Sequence, residues 1–181
     1  MLFVRCLTLL ACLMALAVAV AACGDEEPGV DEPAREGLAL PLDGVEYNVF
    51  ITRQLNPAIP ADDAFFEGPE PGPDENLYGV FVQACNNTED VQEPVDEFLI
   101  KDNQGNEFEP EPQPEENRFA YTPRELEPKE CIPESGSVAQ QGPTGGAMLL
   151  FRLPLQFTEN RPIELEIEGE GDEKLTFELD I

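Results

Sequence analysis

Between Val45 and Asn56 the chain runs without Gly or Pro, and Val45, Tyr47, Val49 and Ile51 share one parity while Glu46, Asn48 and Thr52 hold the other. That alternation sends successive side chains to opposite faces, the signature of a strand with one buried side. Val80 to Glu93 is a second long stretch free of both breakers. There Tyr78, Val80, Val82 and Ala84 oppose Leu77, Phe81 and Cys85, so both faces are apolar, which predicts a central strand covered on both sides. Glu97 to Asp102 and Asn106 to Glu109 flank Asp102-Asn103-Gln104-Gly105, a spacer whose glycine accepts positive φ, and together they predict a hairpin. Ala147 to Leu153, Pro162 to Glu168, and the alternating Leu175, Phe177, Leu179 and Ile181 supply further strands, the last two joined by the tip Gly169-Glu170-Gly171-Asp172. Glu109 to Glu116 alternates Glu, Pro and Gln with no apolar residue and predicts a solvated loop. The stretch carrying Cys131 as far as Gly146 is irregular, and no internal repeat is present. About seven or eight short strands over 41–181 predict an all-β fold, an antiparallel β-sandwich.

The start of the chain has a different character. Arg5 is the only charged side chain before Asp25, and Cys6 to Ala22 is almost wholly apolar and ends in small residues. This is the layout of an export signal. At about 1.5 Å per residue the run spans roughly 25 Å as a helix, short of a ~30 Å hydrocarbon core, which argues against an uncleaved anchor. Val20-Ala21-Ala22-Cys23, followed by Gly24, resembles the lipobox of bacterial lipoproteins. The resemblance implies cleavage after Ala22, a signal peptide over 1–22, and a diacylglycerol on the Cys23 thiol. The alternative is an ordinary cleaved signal with Cys23 left as a free thiol. Acyl chains contribute about 0.8 kcal/mol per buried methylene, so a multiply acylated Cys23 would hold the chain on a lipid bilayer, on the extracytoplasmic face of the cell membrane. Gly24 to Leu40 is rich in Asp, Glu and Pro; the expectation is a disordered acidic linker over 23–40, reaching roughly 20 to 25 Å.

Counting cysteines changes the picture of the exported part. Cys6 and Cys12 lie within the signal and Cys23 is the lipidation site, which leaves Cys85 and Cys131. An even pair in an exported chain predicts a disulfide, and closing the loop between them would stabilise by up to about 4 kcal/mol. Two separate buried thiols are the alternative.

Composition narrows the chemistry. There are 38 Asp and Glu against 10 Lys and Arg, a net charge of −28, and no His or Trp. Without His, imidazole acid–base catalysis, His metal ligands and Ser–His or Cys–His nucleophiles are all excluded. Nucleic-acid binding, which rests on Lys and Arg meeting phosphates, is not expected. Fourteen Gly and eighteen Pro disfavour a helical bundle.

A family resemblance rests on the order of several segments: a strand ending in Asn (Val80 to Asn86), Phe98 through Phe108 around Asp102-Asn103-Gln104-Gly105, Leu126-Glu127-Pro128, and Gly145-Gly146 leading to Phe151-Arg152-Leu153-Pro154. Together they resemble the immunoglobulin-like domain of many bacterial lipoproteins known as domain of unknown function 4352. The resemblance covers most of Leu42 to Glu168 and implies an immunoglobulin-like sandwich at the cell surface with no catalytic residues. The Pro/Glu loop, the Cys131 segment and the final hairpin depart from that pattern.

The remaining candidates each have a plain reading beside the sharper one. A glycosidase needs two carboxylates flanking a sugar, one with a raised pKa; with 38 acidic residues sequence proximity alone selects none, and a solvated charged surface is the simpler reading. Calcium wants clustered oxygens, and Asp62-Asp63, Asp74-Glu75-Asn76 and Glu170 with Asp172 offer them without EF-hand spacing. Asn86-Asn87-Thr88 matches a glycosylation acceptor, but beside a lipobox Asn86 reads as a strand-end residue bonding local backbone. Phe65 and Phe66, between Asp62-Asp63 and Glu67, form a candidate contact tip. The function expected is therefore a membrane-anchored, non-catalytic interaction module for an envelope or extracellular protein, with no cofactor. The alternatives are a calcium-stabilised adhesion or envelope module and, further off, a carboxylate-dependent hydrolase.

Overall fold

A computed structural model describes residues 27–60, 62–66 and 68–181. The export segment, Cys23 and Glu67 lie outside the described residues. The strands in chain order are β1 (Ala34–Arg35), β2 (Ala39–Leu42), β3 (Val45–Leu55), β4 (Glu75–Asn86), β5 (Phe98–Asp102), β6 (Glu107–Phe108), β7 (Cys131–Ile132), β8 (Ala147–Pro154), β9 (Ile163–Glu168) and β10 (Lys174–Glu178). A single turn of helix, α1 (Val138–Gln141), precedes β8 and is capped by the Ser137 side chain accepting from the Gln140 N–H.

Two sheets stack as a β-sandwich. One runs in the order β1-β10-β9-β5-β6; in the other, β2-β3-β4, the free side of β4 carries both β7 and β8. β4 can serve two partners because it is twelve residues long: β8 takes Glu75 to Val82 and β7 takes Ala84 and Cys85. The core lies between the sheets. Val45, Tyr47, Val49, Val80 and Val82 from one sheet meet Ile100, Leu165, Ile167 and Phe177 from the other, all of them fully buried. Each contributes about 1.5 to 3 kcal/mol by leaving water.

The hairpin around Asp102-Asn103-Gln104-Gly105 forms as β5–β6, and the final hairpin forms as β9–β10. β4 is the central strand, with Val80 and Val82 in the inter-sheet core and Leu77 and Phe81 in a second apolar cluster on its other face. Strands exceed the expected seven or eight because β1, β2 and β7 are not among those expected: β1 and β7 are only two residues each, too short to leave a period, and β2 begins inside the stretch read as a linker. Ile51 departs from its expected face. The β3–β4 register shifts between Val49 and Ile51, and the extra residue Phe50 inverts the parity, so Ile51 is exposed while Thr52 is buried.

The reading of 23–40 as a disordered linker needs correction from Glu27 onward, where a turn closes through the Gly29 N–H donating to the Glu32 carbonyl. β1 pairs in parallel with β10, Ala34 opposite Phe177, and β2 pairs with β3; Ala34 is buried in the core. Acidic and proline content hid these pairings, because only one small apolar residue is buried in β1 and backbone bonds do the rest.

Candidate functional site

Of the residues singled out by sequence, Cys23 lies outside the described residues, whereas Cys85 and Cys131 are brought together. They sit opposite each other on β4 and β7 and form a disulfide, with Cα atoms 4.1 Å apart. The bridge ties the long irregular segment to the central strand. Asn86, the next residue on β4, is fully buried. Its side-chain N–H groups donate to the carbonyls of Asp90 and Leu126, and its Oδ1 accepts from the N–H and hydroxyl of Thr88. It is the strand-end residue that the sequence suggested, with its amide committed to backbone.

Phe65 is not an exposed contact tip. It is buried, with its ring edge-on to Phe81 at 5.2 Å and to Phe119 at 4.6 Å. The cause is the second apolar face of β4: Leu77 and Phe81, with Met148 and Leu150 of β8, need cover, and Phe65 supplies it with Phe66 and Phe119 packed alongside. The turn that presents Phe65 is fixed by Asp62, whose carboxylate accepts from the Asn56 N–H and pairs with Arg53. Asn117 donates to the Phe65 carbonyl at 3.2 Å. Phe66 is half-buried against the same cluster.

Two of the calcium candidates, Asp62 and Glu75, are engaged elsewhere. Asp62 serves Arg53, and Glu75 accepts from the Gly72 N–H and pairs with Arg152. Asp102, in the β5–β6 turn, is buried and accepts from the Gln104 and Asn106 N–H groups and from the side chains of Asn106 and Asn160. Burial pushes its carboxyl up, but the hydrogen bonds from Asn106, Asn160 and Gln104 outweigh it and bring the pKa down to about 2. Among the described residues no group of three or more His, Cys, Asp or Glu is placed to hold a metal ion.

Two charged surfaces remain. On the outer face of β5, β9 and β10, Glu166 is bridged by Lys101 and Lys174, each at 2.8 Å. Burial opposes its charge, but the two lysines hold Glu166 below the usual carboxylate range, and Glu166 with Glu107 raises Lys101. Neighbouring Glu164 is raised, chiefly by burial and then by Glu166 and Glu178. The second surface is a concavity of about 490 Å³ lined by Asp96, Glu97, Phe98, Leu99, Glu109, Pro110 and Glu168. Its four carboxylates have no Lys or Arg among the lining residues.

Sequence patterning missed two anchors of the loops. Arg152 on β8 holds the Pro/Glu loop through Glu111 at 2.6 Å and donates to the Pro69 carbonyl at 3.0 Å, so that loop is fastened rather than wholly solvated. Tyr47 and Tyr121 together clamp Val95. The Val95 N–H donates to the Tyr47 hydroxyl, and the Tyr121 hydroxyl donates to the Val95 carbonyl. Burial pushes the Tyr47 phenol up to about 12 and also raises Tyr121. An isolated Arg at the end of an apolar strand, and a Tyr on a buried parity, are the signals that mark such residues.

Among the described residues no helix is long and apolar enough to cross a membrane. No family model matches the chain, and no curated protein matches it. Among solved structures the chain is similar to an uncharacterized β-sandwich protein from Clostridium difficile 630, with 13% sequence identity and a TM-score of 0.47, covering 85% of this chain and 100% of that one.

Proposed function

We propose that the chain is an exported bacterial lipoprotein, held on the extracytoplasmic face of the cell membrane by an acylated Cys23, whose immunoglobulin-like sandwich acts as a non-catalytic interaction module. The observation that carries the reading is the division of labour among the cysteines. Cys85 and Cys131 are bonded to each other, as suits an oxidising compartment, which leaves Cys23 as the one cysteine after the apolar run without a partner in the sandwich. The small residues Val20-Ala21-Ala22 before it and Gly24 after it fit the lipobox. The charged groups of the sandwich also favour a binding role. Asp102, Glu166, Glu111 and Asp62 are engaged in holding turns and sheets, and the acidic concavity around Asp96 suits a partner with a cationic patch.

Fractionation of cells producing the natural protein and the Cys23→Ala variant tests the anchor. The native chain should sediment with membranes and the variant should move to the soluble exported fraction. Equal distribution of the two would overturn the reading. For the interaction role, cross-linking on intact cells should trap a discrete envelope protein, absent when a charge-matched acidic protein is displayed instead.

A further inference from the structure

Resting on the reading of Cys23 as the acylated residue, we infer that the sandwich is held against the bilayer by a tether of only four residues, with its β1–β10 edge membrane-proximal. The chain is already folded at Glu27. The Val30 and Asp31 N–H groups donate to the Glu27 carbonyl at 3.1 and 3.0 Å, and the Glu27 N–H donates to the Asp31 carboxylate at 3.0 Å. The Gly29 N–H donates to the Glu32 carbonyl at 2.6 Å, closing a tight turn. That turn is fastened to the last strand: the Thr176 N–H donates to the Gly29 carbonyl at 2.7 Å, and β1 then pairs with β10 through Ala34 and Arg35. Gly29 is suited to this place for two reasons. Its φ is +86°, and a Cβ there would meet the Leu40 side chain at 2.5 Å and Leu175 at 3.3 Å, so the backbone lies close against the side chains of β2 and β10.

Covalent geometry then bounds the distance. Only Gly24, Asp25 and Glu26 separate Cys23 from Glu27, and four residues span at most about 14 Å whatever their conformation. A folded domain of this size is roughly 40 Å across, so the tether is much shorter than the body it holds. The β1–β10 edge stays next to the headgroups, and the partner surface is confined to a layer about one domain deep. Charge sets the position within that limit. Glu27, Asp31, Glu32, Glu36, Glu178 and Asp180 crowd this edge against Arg35 and Lys174, so anionic headgroups push it outward within a Debye length of about 8 Å at physiological salt.

Neutron reflectometry of the full-length acylated protein on a supported phosphatidylcholine bilayer in 0.15 M NaCl reads the gap between headgroups and protein layer. The native chain should show a gap of no more than about 14 Å. Inserting seventeen Gly/Ser residues between Gly24 and Asp25, ahead of the first described contacts at Glu27, should widen the gap by roughly 20 Å. A native gap of more than about 20 Å, or one that the insertion leaves unchanged, overturns the short tether while leaving the lipid anchor intact. Retention of the Cys23→Ala variant on the bilayer as firmly as the native chain would overturn the anchor itself, and the tether with it.

Discussion

Asp102 shows how much a single side chain can organise when its charge is fully used. Four donors from Gln104, Asn106 and Asn160 converge on its two oxygens and bring its pKa to about 2. Because the folded value lies below that of an unfolded Asp near 3.9, the stability it contributes is fully present above about pH 4. It is lost as pH falls toward 2. Asp102→Asn should therefore destabilise at pH 7 by about 1.5 to 3 kcal/mol, the range for hydrogen bonds to a charged group. The difference between variant and native chain should shrink between pH 4 and pH 2 in urea denaturation. A pH-independent difference would show that the charge is not what the donors serve. Much of this residue was legible beforehand: Asp-x-x-Gly between two short apolar runs specified the hairpin. The contribution of Asn160 was not, because it comes from 58 residues away, and no local pattern records such a meeting.

The same contrast holds for whole elements. β4 announced itself through two apolar parities, and the structure uses both, one in each cluster. What covers its outer face was illegible, because Phe65-Phe66 sits among Pro and acidic residues that read as an exposed loop. Phe65→Ala tests the outcome: a buried aromatic removed from between Phe81 and Phe119 should cost about 3 kcal/mol or more, measured by denaturant melting, whereas an exposed tip would cost less than about 0.5 kcal/mol. The disulfide was legible by counting, since it needed only parity and compartment. It closes a separation of 46 residues, so the Cys85→Ala, Cys131→Ala double variant should lose up to about 4 kcal/mol. An unchanged urea midpoint would mean that β7 is held to β4 by packing alone. β1 was the hardest element to see. Parallel pairing of two residues by backbone bonds requires no apolar alternation, and the surrounding acids pointed the other way.

At the scale of the molecule the dominant fact is the chain's net charge of −28, and among the described residues ion pairs engage only a few of the carboxylates. Self-repulsion opposes the compact state. Raising NaCl from 10 mM to 0.5 M cuts the Debye length from about 30 Å to less than 5 Å and should raise the melting temperature by several degrees; a flat or falling trend would show that the acids are locally compensated. On the proposed lipid anchor at Cys23, the same charge would confine the module to work close to its own membrane and at a distance from other anionic surfaces. Everything about its place turns on Cys23. Mass spectrometry of the N-terminal peptide of the natural protein reads that residue directly. The account predicts a chain that begins at Cys23 and carries diacylglyceryl on the thiol. A peptide that begins at Met1, or one in which Cys23 bears a free thiol, contradicts it.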